Sequence, residues 1–130
     1  MKVVFDTSIF ISALVFPGSL AEEAIFRIIE GEDILLISKQ ILQEILSVLS
    51  KKFSGDKEAI SRVAVNLSEI AEMVNPTVRI RVLKDEPDNR ILECAVSGKA
   101  EVVVSGDKKM LKLKEYEGVK IISLKEYLNI

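Results

Sequence analysis

A repeated change of period constrains this chain most. Short β-branched runs at Val3–Phe5, Ile34–Ile37, Val78–Val82, Val102–Val104 and Val119–Ile122 alternate with longer stretches of helical spacing. Those stretches are Leu20–Glu30, Lys39–Lys52, Lys57–Val74, Arg90–Gly98, a short one from Lys108, and a last turn at Leu124–Leu128. Strands that read as unbroken apolar runs belong to parallel sheets covered on both faces, and such sheets need helical crossovers between strands. The pattern predicts an α/β fold. Ser38 stands where the second long helix needs an N-cap, Pro76 is expected to stop the third, and Pro17-Gly18 splits the first helical region in two. With 130 residues, no repeats and no linker-like tract, one domain over residues 1–130 is expected.

Composition narrows the chemistry. Hydrophobic residues make up 48% and charged residues 29%, enough apolar material for a core without staples. There is no histidine and one cysteine, Cys94. That removes Ser-His-Asp and Cys-His nucleophilic catalysis, histidine general bases and nearly every zinc design. Any chemistry must come from carboxylates, lysines, hydroxyls or a hard metal ion. Cys94 falls on the apolar side of its helix and is expected to be inert core. A net charge of −2 provides no global basic field for nucleic acid, only room for a local basic rim. Met1–Asp6 reads as a strand rather than a leader, and no apolar stretch reaches the ~18 residues of a membrane span. A soluble cytoplasmic protein is expected.

The positions of the six aspartates carry information. Asp6 directly follows the apolar run Val3–Phe5, and Asp107 follows Val102–Val104 through Ser105-Gly106. Ligands of open α/β sheets bind in the crevice outside the carboxyl ends of the strands. Helix capping alone accounts for either acid taken singly, whereas two such placements together point toward a site. Glu44 lies at the edge of the apolar arc formed by Ile41, Leu42, Ile45, Leu46, Val48 and Leu49, where a glutamate either reaches into water or aims along the rim of the sheet. In Asp85-Glu86-Pro87-Asp88-Asn89-Arg90, Pro87 suits a first helical turn and the acids complement the helix dipole, a sufficient structural role for Asp88. Lys108, Lys109, Lys112 and Lys114 form either a solvated face or a phosphate-holding one.

Taken in order, the strand-Asp-Thr-Ser start (Val3 to Ser8), Glu44, Asp-Asn-Arg-Ile-Leu-Glu-Cys-Ala (Asp88 to Ala95) and Val-Val-Val-Ser-Gly-Asp-Lys-Lys-Met-Leu (Val102 to Leu111) resemble a PIN domain. More narrowly, the chain is similar to the VapC-like toxin components of prokaryotic toxin–antitoxin systems. The resemblance implies a parallel sheet of roughly five strands in the order 3-2-1-4-5, flanked by helices, which sets strand one beside strand four and so joins Asp6 to Asp107. It implies metal-binding, catalytic carboxylates at Asp6, Glu44, Asp88 and Asp107, with supporting hydroxyls at Ser8 and Ser105. Many members carry a further acid where this chain has Lys109; Asp85 is the substitute on offer. Oxygen-only ligands select hard ions, so Mg²⁺ or Mn²⁺ is implied. Two carboxylates ~4 Å apart repel by ~4 kcal/mol at an effective dielectric of 20, so converging acids need a cation.

The activity implied is metal-dependent endoribonuclease cleavage of single-stranded or loop RNA to a 5′-phosphate and a 3′-hydroxyl, with Lys108 and Lys109 offered to RNA. The partner implied is a cognate antitoxin. A homodimer is also expected, because Ile25, Phe26, Ile29, Val63, Leu67 and Ile70 exceed what one sheet can cover. Rival folds fit less well. A phosphate-accepting receiver domain needs paired acids after strand one, where Asp6 is followed by Thr7-Ser8, and a haloacid-dehalogenase-type phosphatase needs Asp-x-Asp. The alternative from another class is a non-catalytic scaffold binding RNA or a protein, and Lys109 is the feature in its favour.

Overall fold

Val3, Val4 and Phe5 are fully shielded from solvent, and the strand they form is the axis of the sheet. In the computed structural model, which describes residues 1–54 and 56–130, β1 (Lys2–Phe5) pairs in parallel with β2 (Ile34–Ser38) on one side and β4 (Val102–Val104) on the other. Beyond β2 lies β3 (Ala71–Val74), also parallel. Beyond β4 lies parallel β6 (Val119–Ile122), which pairs antiparallel with the two-residue β5 (Glu115–Tyr116). The order is β3-β2-β1-β4-β6-β5. The parallel part follows the expected order; β5 adds a sixth strand as a short hairpin arm. Val3 faces Leu35 and Val102 across the ladder, and Val4 faces Leu36 and Val103. All are buried, each contributing ~1.5–3 kcal/mol of transfer free energy, so the central strands read as unbroken apolar runs because both faces are covered.

The third strand is not where the alternation placed it. Val78–Val82 alternates apolar and basic residues, yet only Ile80 of that run is buried. The strand is instead Ala71–Val74, an edge strand whose half-exposed Ala-Glu-Met-Val carries no period-2 signature. It follows α4 (Lys57–Ile70) without a loop, so the helix ends before Pro76 has any influence. Residues 77–83 run as a strap along α5 (Glu86–Ser97), held by its side chains. The Thr77 amide donates to Ser97 Oγ at 3.0 Å, and the Ile80 amide donates to Glu93 Oε2 at 2.9 Å. Arg90 donates back to the Ile80 carbonyl at 3.2 Å, and Asn89 bonds both backbone groups of Leu83 at 2.9 Å. These bonds satisfy backbone groups that a ladder would otherwise have taken. Arg90 Nε also lies 2.9 Å from Glu93 Oε1, an ion pair without hydrogen-bond alignment.

The helices follow local chemistry. α1 (Thr7–Val15) and α2 (Leu20–Ile29) are bent 103° apart across Pro17-Gly18, where Gly18 takes a φ of 78° that favours glycine. α3 (Lys39–Lys52) starts on the Ser38 cap and buries Ile41, Ile45 and Leu49, one turn apart. α6 (Lys108–Leu113) and α7 (Leu124–Leu128) complete the chain. The Phe5 ring meets Phe10 at 5.9 Å and, edge-on, Tyr127 at 5.6 Å. Arg27 ties the carboxyl-terminal turn down, donating to the Tyr127 and Ile130 carbonyls at 2.7 and 3.1 Å. Asp33 accepts from the Tyr127 hydroxyl at 2.6 Å and from the terminal amine at 2.9 Å. Burial pushes the Asp33 pKa up, but these donors and Arg27 outweigh it and hold the group below its usual range. Cys94 is buried core, its thiol pushed up to about 12 by burial against the opposing hydrogen bond to Ser38, which keeps it unreactive. Among the described residues no single helix is long and apolar enough to cross a membrane.

Candidate active site

The strand order reverses at β1, whose chain continues to β2 on one side while β4 lies on the other. The crevice outside the carboxyl ends of β1 and β4 is therefore the topological switch point. Phe5 and Val104 are register partners, so the next residues, Asp6 and Ser105, emerge side by side. The Asp6 amide donates to the Val104 carbonyl at 2.9 Å, and the Ser105 hydroxyl donates to Asp6 Oδ2 at 2.6 Å. The same Ser105 oxygen accepts from the Asp107 amide at 3.0 Å. One buried hydroxyl thus ties the Asp6 carboxylate to the Asp107 backbone just past the ends of β1 and β4. Asp107 caps α6, its Oδ1 accepting from the Lys109 amide at 3.0 Å. Asp6 stands at the N-cap of α1 but makes no side-chain cap bond, so one oxygen is held by Ser105 while the carboxyl faces the cleft.

That cleft, about 490 Å³, is lined by Asp6, Ser8, Ser12, Asp88, Asp107 and Leu124, among others. Asp88 enters from the first turn of α5, which begins at Glu86, four residues earlier than the apolar spacing indicates. The acids feel one another. The Asp88 pKa is pushed up to about 6, first by burial, then by the charges of Asp6, Asp107 and Asp85, with Lys109 opposing. Asp6 is also raised, by burial and by Asp107, against the stabilising Ser105 hydrogen bond. Lys109 Nζ lies 3.7 Å from Asp85 Oδ2 on the exposed rim, so the lysine that replaces an expected acid supplies a counter-charge there. Lys108 is exposed.

Asp6, Ser8, Asp88 and Asp107 share this cleft, with Ser105 bonded beneath it. Glu44 lines the neighbouring recess of about 160 Å³, with Thr7, Gln40, Glu86, Pro87 and Arg90. Consecutive residues line the two recesses: Asp6 and Asp88 face the first, Thr7 and Pro87 the second. Among the described residues no three acids are already gathered tightly enough to hold a cation. The donor set nevertheless suits a hard divalent ion: it is all oxygen, partly buried and mutually repelling. Ser12 escaped the sequence reading. It stands one turn after Ser8 on an otherwise apolar helix, and the i, i+4 pair of hydroxyls was the signal available.

Comparison with known proteins agrees with this fold. The family model for the PIN domain matches residues 2–109. An uncharacterized protein of Methanocaldococcus jannaschii is 32% identical over 119 residues, covering 88% of this chain and 76% of that protein. Among solved structures, VapBC2 from Rickettsia felis, bound to a DNA fragment from its promoter, superposes with a TM-score of 0.71 at 18% identity, covering 95% of this chain and 98% of its own. VapBC-1 from nontypeable Haemophilus influenzae gives 0.70 at 18% identity, with 96% and 99% covered. At such identity the solved structures establish the shared fold.

Proposed function

Because the chain belongs to the PIN domain family, we propose that it is a divalent-metal-dependent endoribonuclease, the toxin of a toxin–antitoxin pair. The observation that carries this is the coupling of Asp6, Asp88 and Asp107 in one cleft at the β1/β4 switch point, a concentration of negative charge whose lining, among the described residues, includes no lysine or arginine. Asp6, Asp88 and Asp107 would hold Mg²⁺ or Mn²⁺, with Glu44 and Asp85 as outer ligands reached from the adjoining recess and rim. When bound, such an ion holds a phosphodiester oxygen, lowers the pKa of water and stabilises charge on the leaving 3′ oxygen. Ser105 fixes the Asp6 carboxylate in a single orientation through its 2.6 Å bond. Ser8 and Ser12 offer hydroxyls to a phosphate or a water, and a cleft carboxylate orients the attacking water. Lys108 and Lys109, in the first turn of α6 after Asp107, attract the RNA strand.

Partners follow from the surface. An apolar groove of about 330 Å³ between α2 and α4 is lined by Ile25, Phe26, Ile29, Val63, Leu67 and Ile70, with Phe26 and Ile29 about half exposed. It supports a homodimer, and the two VapBC structures support a cognate antitoxin. A cytoplasmic location suits both partners. A non-catalytic scaffold is favoured by one observation, the Lys109–Asp85 contact where a further acid is expected. Incubating labelled RNA with Mn²⁺, with and without EDTA, separates the two. Cleavage that EDTA abolishes supports the nuclease; intact RNA under every metal condition supports the scaffold.

A further inference from the structure

The strap along α5 carries Arg79, Arg81 and Lys84 and no acid between residues 75 and 84. All three cations are exposed, and among the described residues none has a carboxylate within ion-pair distance. Arg79 and Arg81 flank the buried Ile80 and are themselves exposed, so the anchor turns inward while the charges stay in solvent. The backbone beneath them is not loose. Bonds from Ser97, Glu93, Arg90 and Asn89 hold it at Thr77, Ile80 and Leu83. The charges therefore stand on a rail ordered in advance, which lowers the entropic cost of engaging a ligand.

The direction of the rail matters. Its contacts climb α5 from Ser97 through Glu93 to Asn89, and the strap then passes through Lys84 into Asp85 and the first turn of α5, which delivers Asp88 to the cleft. An acidic cleft on a chain of net charge −2 repels a polyanion, so a strand needs local positive charge to reach it. A single row of cations, one strand wide, suits phosphates of single-stranded RNA and carries no base specificity. We propose that Arg79, Arg81 and Lys84 form a phosphate-binding track that leads one RNA strand along α5 into the carboxylate cleft. The track rests on the nuclease proposal above.

The test is fluorescence anisotropy of a short fluorescein-labelled single-stranded RNA, in EDTA to prevent cleavage, over a series of salt concentrations. Each phosphate contact contributes about 0.7 to the slope of log affinity against log salt for a single strand. Arg79→Gln with Arg81→Gln should flatten that slope by about 1.4 and weaken binding at low salt by more than tenfold. Lys52→Gln with Lys57→Gln removes the same charge from exposed sites on α3 and α4 and should leave the slope at its wild-type value. With Mn²⁺ added, the strap variant should raise KM and keep kcat. A strap variant indistinguishable from the control, while the wild type still cleaves RNA, overturns the track and leaves the nuclease standing. Wild-type protein that neither binds nor cleaves RNA overturns both. An equal loss of affinity for a polyglutamate peptide would assign the strap to an acidic protein and also overturn the track.

Discussion

Asp107→Asn keeps the volume of the side chain and an oxygen where the Lys109 amide donates at 3.0 Å, and it removes one negative charge from the cleft. The charge of Asp107 presses on both Asp6 and Asp88. Moving Asp88 from 3.8 to about 6 corresponds to ~3 kcal/mol in all, of which burial is the largest part and Asp107 ranks after Asp6. Asp88 is partly exposed, so solvent screening discounts its share, while the same charge also raises buried Asp6, and removing it relieves both. The metal-free variant should gain ~1 kcal/mol at pH 7, or ~4 °C in Tm for a domain of this size. Asp107→Ala gives the same relief but loses the cap, at a cost of ~1 kcal/mol, so its Tm should stay near wild type. Wild type should gain ~2.7 kcal/mol from Mn²⁺ at a hundredfold excess over Kd, and Asp107→Asn should lose most of that gain. Thermal melts by circular dichroism, with EDTA and with Mn²⁺, read both effects. A destabilised asparagine variant whose metal response matches wild type would refute the reasoning and leave Asp107 as a helix cap alone.

Three further outcomes follow from other parts of the molecule. Asp88 is raised, so the folded state holds its proton more tightly than the unfolded chain; the metal-free Tm should rise by the equivalent of ~1 kcal/mol as pH falls from 7 toward 4. Asp33 is lowered, so the support it gives should disappear below pH ~3.8, and a Tm that falls steadily from pH 7 downward would contradict the Asp88 assignment. A Cβ at Gly98 would sit 2.7 Å from Leu36 Cδ1 and 2.9 Å from Val74 Cγ2; Gly98→Ala should cost ~1–3 kcal/mol in urea unfolding, and a neutral result would show that the α5–sheet contact is loose. Light scattering at micromolar concentration should give a dimer mass, which Phe26→Glu should halve; a wild-type monomer would remove the α2–α4 groove as a self-association surface.

The central strands were legible because a doubly covered parallel strand must be apolar throughout, and Val3–Phe5 and Val102–Val104 are. Ser38 as a cap and Pro17-Gly18 as a break were legible because each acts within a few residues. β3 was not. Edge strands bury little, so Ala71–Val74 left no pattern, while Val78–Val82 showed perfect alternation for a different reason: one anchor, Ile80, and bonds to helix side chains. The meeting of Asp6 with Asp107 was legible only through the strand order that the family resemblance implies, since 101 positions separate them and no local spacing joins them. Helical periodicity placed Glu44 at the edge of its helix but could not say which recess it enters; that depends on how α3 seats against α5. Ser12 was lost among apolar neighbours.

The central claim is that Asp6 anchors a divalent metal site, and the most direct measurement is Mn²⁺ titration followed by electron paramagnetic resonance of the free ion. Wild type at pH 7 should bind Mn²⁺, Glu44→Gln should bind it more weakly, and Asp6→Asn should leave it free while keeping a native circular dichroism spectrum. Equal Mn²⁺ uptake by wild type and Asp6→Asn, or none by either, would contradict the account.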